Sequence, residues 1–410
     1  MAQLSDDCFA FGGKLQTLDA ALALIAGSVG CVAGVEALAL LEADGRVLAA
    51  DVMAPVDVPP FANSAVDGYA VRLADLEAGP GLQVAGRLAA GMAAAEALAA
   101  GTARRIFTGA ALPPGADTVF MQEDVRVDGT VVHLPPGLRA GANTRPAGED
   151  VRAGARALPQ GRLLRPQDLA LAAALGLRTL PVRRRIRIAL FSTGDELVEP
   201  GAPPGPAQRF DSNRVLLAAM ARRAGAVVTD LGILPDQQDA IADRLRRAAV
   251  AHDLILTSGG VSAGEEDHVR AALEQAGRLV FWRLAIKPGR PVAMGHVEGV
   301  PFMGLPGNPV AAFVTFAQLA RPMIAALGGA TAAPPPTLPV PAAFSYRKKA
   351  GRREYVRVRL APGPDGQPWA HKHGVEGAGI LTSLTQTDGL AELGDDITAV
   401  APNELVRYLP

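Results

Sequence analysis

The sequence predicts a multidomain protein that combines α/β and β domains: a central three-layer α/β/α domain with a mostly parallel sheet, N-terminal β-rich domains and a small C-terminal β-barrel-like domain. Strands and helices alternate from residue 185 to about 327, which is typical of a parallel sheet covered by helices. Short apolar runs between turn residues fill 47–158, and residues 355–360 alternate with period 2, as β-strands do. A chain of 410 residues suits about three domains.

The composition indicates a folded protein with no bulk attraction to polyanions. Hydrophobic residues make up 49% and charged residues 20%, which suits several apolar cores. The net charge of −1 argues against nucleic acid or an anionic membrane as a partner. Cys8 and Cys31 cannot form a disulfide framework. Residues 1–7 lack a basic signal-peptide region, and prolines interrupt the longest uncharged run, 299–320, so we expect a cytoplasmic protein without a membrane helix.

The elements outside the alternating region follow from local signals. Residues 17–29 have apolar side chains at helical spacing, and Thr17 suits the N-cap. A further helix is predicted over 166–175. The proline-rich segment 333–339 is typical of a stiff linker, and the C-terminal β domain follows it.

Within the alternating region, apolar runs and turn residues set the order of the elements. Strands are predicted over 186–191, 227–231, 253–257, 280–286 and 291–294, and helices over 213–224, 235–251, 264–276 and 309–327. In a sheet of this kind, ligands bind at the carboxyl ends of the strands. Polar or glycine-rich segments stand at such ends or at helix starts, at 192–197, 234–236, 257–267, 287–291 and 304–309.

The chemistry of these segments is complementary. Glycines and hydroxyl groups just before a helix expose backbone N–H groups that suit a phosphate. Asp236, Asp267 and Glu196 are hard oxygen ligands that suit Mg²⁺, which binds one or two carboxylates together with substrate phosphates.

The fourth segment adds positive charge. Lys287 is the only lysine between Lys14 and Lys348 in a chain whose other basic residues are almost all Arg. With Arg290 and Arg283 it would hold a second, metal-free anion. The segments together predict a phosphorylated, metal-assisted substrate beside an anion.

Each segment alone also has a purely structural interpretation. Residues 258–260 would form a tight turn, Asp236 would cap its helix and Glu196 would be a solvated loop acid. Residues 287–289 and the pair Asp67-Gly68 would be hairpin turns. The segments of the alternating region coincide at successive strand ends of one unit, which favours a ligand site there, whereas Asp67-Gly68 on spacing alone favours the hairpin.

The chain resembles the MoeA family over almost its whole length. Seven segments stand in the order and approximate spacing of that family, at 63–70, 108–110, 148–150, 192–197, 258–267, 287–291 and 304–309. The combination of Ser-Gly-Gly-Val-Ser, Lys-Pro-Gly and Gly-Leu-Pro-Gly-Asn-Pro is highly specific. The family is that of the molybdopterin molybdenumtransferases, and it is similar to the E domains of gephyrin and of its plant counterpart.

The resemblance implies the final step of molybdenum cofactor synthesis. Adenylylated molybdopterin and molybdate are the expected substrates, and Mg²⁺ is the expected cofactor of a hydrolysis that releases AMP as molybdenum enters the dithiolene. The implied assembly is an elongated homodimer whose cleft uses both subunits, with a molybdopterin adenylyltransferase upstream and molybdoenzyme delivery proteins as further partners. The expected domains are a linking domain of 1–55 and 150–183, an inserted β-rich domain of 56–149, an α/β molybdopterin-binding domain of 184–330 and a C-terminal β domain of 337–410.

The resemblance also assigns roles to residues at matching positions. The implied catalytic residues are Asp67, Thr108, Asp150, Glu196, Asp236 and Asp267, of which Asp236 and Asp267 would bind Mg²⁺. The implied substrate-binding residues are Arg145, Ser192, Thr193, Gly194, Ser258, Gly259, Gly260, Ser262, Pro306, Gly307 and Asn308. The implied molybdate-binding residues are Arg283, Lys287, Arg290, Pro291 and Arg357.

Some positions depart from the family pattern. Lys is common in the family where this chain has Arg283 and Arg290, and Ser is frequent where it has Ala311 and Ala378. We therefore expect the oxyanion pocket to rely on charge more than on hydroxyl donors.

Other functions fit parts of the sequence. A molybdopterin adenylyltransferase or another nucleotide-processing enzyme would use the same α/β domain, but it would need neither the long β-rich region nor the tail after Pro341. A non-enzymatic scaffold of the gephyrin type would need partner-binding tails or linkers, and the sequence offers only 334–341.

Overall fold

The structure is a computed structural model that describes residues 15–261, 268–331 and 336–410. The chain divides into two compact units. The β-rich unit contains Ala37–Asp44 and Ala50–Pro181, and the α/β unit contains Met1–Glu36, Gly45–Ala49 and Val182–Pro410. The chain passes between them within the strands Val35–Ala39 and Thr179–Arg183.

The β-rich unit is built around a six-stranded sheet with a buried cluster on each face. Val71, Phe120 and Val132 pack in one cluster, and Ile106 and Val119 in the other. The strand order is Thr118–Met121, Gly68–Val71, Thr102–Ile106, Gly81–Leu88, Val131–His133 and Arg126–Asp128. The other elements are the strands Val52–Met53, Asn63–Ser64, Thr144–Arg145 and Arg156–Leu158, the 3₁₀ turns Leu40–Ala43 and Leu73–Ala78, and the helix Pro166–Ala174.

The α/β unit contains the predicted three-layer domain. Its central sheet has the strand order Val227–Leu234, Arg187–Thr193, Leu254–Ser258, Val300–Leu305, Pro291–Val297 and Gly277–Arg283. Neighbours among the first four are parallel, and Pro291–Val297 is antiparallel to both of its neighbours. The helices that belong to this domain are Leu18–Ser28, Ser212–Arg223, Gln238–Ala251, His268–Ala276 and the continuous segment Pro309–Leu327.

The residue pattern explains the layers. In the strand Arg187–Thr193 every residue after Arg187 is buried, as expected for a strand covered on both faces. In the helix Gln238–Ala251 the buried residues Ile241, Leu245 and Ala248 recur at helical spacing and form one apolar face. Two large clusters of buried apolar side chains lie in this unit, which places helices over both sides of the sheet.

One helix among the described residues is long and apolar enough to cross a membrane, Pro309–Leu327. It contains a π-helical segment at Phe316–Ala320 between the α-helical turns Pro309–Thr315 and Arg321–Leu327. Of its most apolar window, 67% is buried inside the protein, as in the core helix of a globular domain.

The C-terminal strands close into a barrel-like sheet. Its order is Ile286–Lys287, Arg353–Pro362, Gly389–Leu393, Leu405–Leu409 and Leu338–Pro341, and Pro368–Lys372 pairs with Arg353–Pro362. A bridge between Ala342 and Ala370 joins the two sides of this set, around a core that includes Val358 and Tyr408. The smaller elements of the unit are the pairs Tyr346–Arg347 with Ala399–Val400 and Leu197–Val198 with Arg209–Phe210, and the short helix Thr382–Thr385.

The predicted fold class is confirmed, with differences in detail. The strand Val300–Leu305 was not predicted, because prolines at 301 and 306 and the continuous apolar run 299–320 hid the boundary between this strand and the helix after it. The helix expected from 235 begins at Gln238. The division into the predicted domains 1–55 with 150–183, 56–149, 184–330 and 337–410 stays a prediction.

Candidate functional site

The carboxyl ends of four parallel strands bring the predicted substrate-binding segments together. In the sheet register Ser192 lies opposite Ser258, Ser258 lies opposite Leu305, and Thr193 lies opposite Leu234. The segments that follow these residues therefore meet at one edge of the sheet. They carry Gly194 and Glu196, Asp236, Gly259 and Gly260, and Pro306, Gly307 and Asn308.

Two glycines allow the backbones to approach closely at this edge. Gly259 has φ +88° and a Cβ there would lie 2.7 Å from the carbonyl oxygen of Thr193. Gly260 has φ +62°, and a Cβ there would overlap Val269. Any other residue would push the segment away from the neighbouring strand. The interpretation of residues 258–260 as a tight turn is therefore correct in geometry, and it is compatible with phosphate binding.

Asn213 connects the segment after Ser258 to the segment that contains Gly307 by hydrogen bonds. The sequence did not reveal this role. Its Nδ2 donates hydrogen bonds to Ser258 Oγ and to the carbonyl oxygen of Gly307, both at 2.9 Å. The side chain is buried at the start of the helix Ser212–Arg223. An asparagine at a helix start ordinarily suggests a cap, so no signal in the sequence separated this bridging role from capping.

Asp236 turns its carboxylate toward the strand end. Its Oδ1 accepts a hydrogen bond of 3.0 Å from Thr193 Oγ1. Burial raises the pKa of Asp236. The hydrogen bond from Thr193 lowers this pKa, but its effect is smaller, and the negative charges of Asp195 and Glu196 raise the pKa further. The helix that follows has Gln237 as its N-cap, with no side-chain capping bond among the described residues, so the interpretation of Asp236 as a cap is wrong.

Glu196 is a partly solvated loop acid, as one interpretation predicted, and among the described residues it belongs to no metal cluster. Its Oε1 accepts a 2.7 Å hydrogen bond from Arg209, and its carboxylate lies against Gly194, where φ is +143° and a Cβ would overlap it. Glycine at 194 therefore makes room for this carboxylate.

The donor set fits a hard cation such as Mg²⁺. A half-buried carboxylate at Asp236, the hydroxyl of Thr193 and the nearby charges of Asp195 and Glu196 are oxygen ligands of the type that Mg²⁺ prefers. Among residues 15–261, 268–331 and 336–410 there is no group of three His, Cys, Asp or Glu side chains at metal-binding distance. The expected second ligand, Asp267, and the expected substrate-binding residue Ser262 lie outside the described residues.

A cavity of about 730 Å³ opens beside this edge and has a strongly basic lining. Four of the five residues predicted to bind molybdate line it: Lys287, Arg290, Pro291 and Arg357. Pro306, Asn308, Ala311 and Ala378 line it as well. Arg283 is not among the described residues of the lining; it ends the strand Gly277–Arg283 in register with Pro291.

The cavity contains further charged side chains that the sequence did not assign to it. These are Lys349, Arg352, Lys372 and Glu376, together with Tyr346. The run of basic residues at 347–353 was the available signal, but its place beside Lys287 depends on pairing between distant strands. Ile286–Lys287 pairs in parallel with Arg353–Glu354 at the edge of the C-terminal sheet.

Arg357 holds one rim of the cavity. Its Nη2 donates to the carbonyl oxygens of Val375 and Gly377, at 3.3 and 3.2 Å, while its Nε is buried without a hydrogen-bond partner among the described residues. Burial lowers the pKa of Arg357. Because a guanidinium remains protonated at any physiological pH, this is a half-buried positive charge with donor capacity left over.

Two predicted catalytic residues of the β-rich unit lie together. Asp67 Oδ1 accepts hydrogen bonds from the backbone N–H of Thr108 at 2.8 Å and from Thr108 Oγ1 at 2.7 Å. The Thr108 N–H, followed by its hydroxyl, lowers the pKa of Asp67. Arg145 and Asp150 are exposed on the same unit.

The hairpin interpretation of Asp67-Gly68 is wrong. The strand Gly68–Val71 pairs with Thr102–Ile106 and Thr118–Met121, whereas Asn63–Ser64 pairs with Thr144–Arg145. By contrast, Lys287 does lie in the loop that joins two antiparallel strands, Gly277–Arg283 and Pro291–Val297.

Comparisons with known protein families match most of the chain. Residues 16–176 match the MoeA N-terminal region (domain I and II), 189–326 match a probable molybdopterin binding domain, and 339–410 match the MoeA C-terminal region (domain IV).

Individual relatives agree with these matches. The chain is 40% identical over 380 residues to the molybdopterin molybdenumtransferase of Haemophilus influenzae, covering 92% of this chain and 93% of that protein. It is 38% identical over 379 residues to molybdopterin molybdenumtransferase 2 of Mycobacterium tuberculosis, covering 88% and 91%. The crystal structure of the molybdopterin biosynthesis moeA protein from Pyrococcus horikoshii OT3 superposes with a TM-score of 0.83 at 29% identity, over 97% of this chain and 100% of that chain.

Proposed function

The chain belongs to the MoeA family, and from this membership we propose that it is a molybdopterin molybdenumtransferase that inserts molybdenum from molybdate into adenylylated molybdopterin with Mg²⁺-dependent release of AMP. The enzyme acts in molybdenum cofactor synthesis. Its substrate comes from a molybdopterin adenylyltransferase, its product goes to molybdoenzyme delivery proteins, and its site of action is the cytoplasm.

The observation that carries this proposal is the continuity between the strand-end segments and the basic cavity. Pro306 and Asn308 line the cavity. The carbonyl oxygen of Gly307, between them, accepts a hydrogen bond from Asn213, which also donates to Ser258 at the strand end. A phosphate group at residues 258–260 and an oxyanion at Lys287 would therefore be bound on the two sides of one loop. This arrangement suits a reaction in which the phosphoanhydride bond of the adenylylated substrate is hydrolysed, with AMP as the leaving group, next to the incoming molybdate.

Different residues of the site bind the phosphate, the molybdate and the Mg²⁺. The backbone N–H of Gly260 orients the phosphate, because that of Gly259 already donates to the carbonyl oxygen of Leu305. Lys287, Arg290 and Arg357 bind the molybdate dianion through charge-assisted hydrogen bonds. Asp236, held by Thr193, would hold Mg²⁺ with Asp267. When bound, Mg²⁺ neutralises charge on the phosphate oxygens.

Four residues of the β-rich unit have expected roles in the reaction. Asp67 and Thr108 form a hydrogen-bonded pair, and Arg145 and Asp150 occupy positions with an expected role in substrate binding and catalysis. We propose that the chain is a homodimer in which these residues complete the cleft of the partner subunit.

The experiment is an assay of AMP release from adenylylated molybdopterin. The full chain is incubated with the substrate, and Mg²⁺ and molybdate are each supplied or withheld. The proposal predicts AMP release that needs Mg²⁺ and is coupled to the appearance of molybdenum cofactor. Formation of adenylylated molybdopterin from ATP and molybdopterin would instead identify the adenylyltransferase, and inactivity in both reactions would favour the scaffold.

A further inference from the structure

One wall of the basic cavity is a hydrogen-bonded group of three side chains, Lys287, Tyr346 and Glu354. Lys287 Nζ donates to Tyr346 Oη at 3.1 Å and forms an ion pair of 3.2 Å with Glu354 Oε2. Tyr346 Oη in turn donates to the same Glu354 oxygen at 2.8 Å. The three groups therefore form a closed triangle that includes the ammonium group of Lys287.

Glu354 is the buried member of this triangle. Its side chain is 1% exposed, and its other oxygen, Oε1, accepts a 2.7 Å hydrogen bond from Arg352. In the sheet register Lys287 lies directly opposite Glu354. A carboxylate removed from water in this way is stabilised only by such partners, so its position is fixed by the C-terminal sheet and by the three donors that surround it.

Tyr346 connects the carboxylate to the cavity. Two ammonium groups lie near its ring, with Lys287 Nζ at 5.6 Å and Lys372 Nζ at 5.5 Å from the ring centre. Burial and the hydrogen bond to Glu354 raise the pKa of Tyr346. The phenol therefore stays neutral at physiological pH and keeps the proton that it donates to Glu354.

We propose that Tyr346 and Glu354 are positioning residues that fix the ammonium group of Lys287 for the incoming oxyanion. This inference rests on the proposed function of the cavity. An ammonium group has three N–H donors on a flexible stem. Tyr346 and Glu354 take two of them, which directs the third toward an anion in the cavity that Lys287 lines. The lysine then needs little ordering when the oxyanion binds.

Positioning and plain electrostatics predict opposite results. Glu354 is a negative charge beside an anion site, so removing its charge would tighten anion binding if charge alone mattered. If Glu354 and Tyr346 position Lys287, their loss weakens binding. Tyr346→Phe is the cleaner variant, because it keeps the ring and every charge. It removes only the hydroxyl group that accepts from Lys287 and donates to Glu354.

The experiment measures molybdate binding by calorimetry, and the KM values for molybdate and for adenylylated molybdopterin, in the full chain. We expect Tyr346→Phe to raise the molybdate Kd and KM by about three- to tenfold, the effect of losing one hydrogen bond, with the KM for adenylylated molybdopterin unchanged. Glu354→Gln should also weaken molybdate binding. The matched control is Glu392→Gln, which changes a buried carboxylate of the same sheet that pairs with Arg407 at 2.9 Å and is not among the described residues of the cavity lining.

The outcomes separate this inference from the proposed function. If wild type binds molybdate and Tyr346→Phe binds it equally well, or if Glu354→Gln binds it more tightly, the positioning role is wrong and the function stands. Equal losses in Tyr346→Phe and Glu392→Gln would show a general effect on the sheet and would also overturn it. A wild-type chain that binds no molybdate overturns both.

Discussion

The hydroxyl of Thr193 donates a 3.0 Å hydrogen bond to the carboxylate of Asp236, across the ends of two neighbouring parallel strands. The N-cap of the helix that begins at Gln238 is Gln237, and no capping bond from Asp236 is found among the described residues. An acid that does not cap its helix and is partly buried costs free energy unless a cation or donor balances it. Thr193 supplies one such donor, and the Mg²⁺ proposed at Asp236 would be a further partner of the same carboxylate.

Asp236→Asn is therefore expected to abolish Mg²⁺-dependent AMP release and to leave the fold intact. The amide can still accept the hydrogen bond from Thr193, but it has lost the negative charge that a hard cation needs. Release of AMP in the presence of Mg²⁺, with circular dichroism as the check on folding, measures the effect. The same loss is expected for Asp267→Asn.

The matched control for Asp236 is Asp239→Asn, in the first turn of the same helix. Asp239 Oδ1 accepts a hydrogen bond of 3.0 Å from Gln275 on the neighbouring helix. Its loss should change stability by about 0.3–1 kcal/mol through the helix dipole and leave AMP release unchanged. Normal AMP release from folded Asp236→Asn would remove this residue from the proposed metal site.

The balance between charge and hydroxyl donors in the cavity can be tested at Lys287 and Ala378. Lys287→Ala should weaken molybdate binding by more than Ala378→Ser strengthens it. The positive charge of Lys287 attracts the anion in every orientation that the anion adopts, whereas a hydroxyl group at 378 adds one hydrogen bond. A hydrogen bond to a charged group contributes about 1.5–3 kcal/mol, so the added Ser could tighten binding about tenfold. Calorimetry at fixed ionic strength gives the dissociation constants.

Arg359, a cation of the strand Arg353–Pro362, serves as the control for Lys287. Arg359 is exposed two residues after Arg357 and is not among the described residues of the cavity lining. Arg359→Ala removes one positive charge without altering the cavity and should leave the molybdate dissociation constant close to that of wild type. Wild-type affinity in Lys287→Ala would show that the oxyanion binds elsewhere.

Gly289 controls the shape of the cationic loop. It has φ +111°, and a Cβ there would overlap Thr315 Cγ2 of the core helix, so Gly289→Ala should push the loop away and weaken molybdate binding. We expect a loss of about 1–3 kcal/mol in unfolding free energy from the overlap alone. Chemical denaturation and calorimetry measure the two effects.

Gly299→Ala separates backbone strain from steric overlap. Gly299 also has positive φ, +82°, but a Cβ there would meet no described atom within 4 Å. This variant should lose stability through strain only and retain molybdate binding. If both variants behave alike, the packing against Thr315 is not what shapes the loop.

The sequence predicted the strand-end segments well because each depends on local residue types. Glycines before helices, carboxylates after strands and the Lys-Pro-Gly loop are visible in a few adjacent positions. Asn213, Tyr346 and Glu354 were missed because their roles arise from contacts over long separations, such as the pairing of Lys287 with Glu354. Asp236 was compatible with both a cap and a ligand until the direction of its side chain was known.

The homodimer with shared clefts predicts complementation between two inactive variants. Asp67→Asn changes the β-rich unit and Asp236→Asn changes the α/β unit. If each cleft takes Asp67 from one subunit and Asp236 from the other, a mixed dimer has one intact cleft, and an equal mixture should recover about a quarter of wild-type AMP release. Each variant mixed with itself is the control. A mixture as inactive as its parts, in dimers shown to exchange subunits, would mean that each chain builds its own cleft.

The proposed function requires the cavity lined by Lys287, Arg290 and Arg357 to receive the molybdate. Anomalous X-ray scattering at the molybdenum edge from crystals of the chain soaked in molybdate tests this assignment, with crystals not exposed to molybdate as the blank. We expect one strong anomalous peak inside this cavity, within hydrogen-bond distance of the Lys287 ammonium group. A peak at another site of the chain, with this cavity empty at a molybdate concentration that supports AMP release, would contradict it.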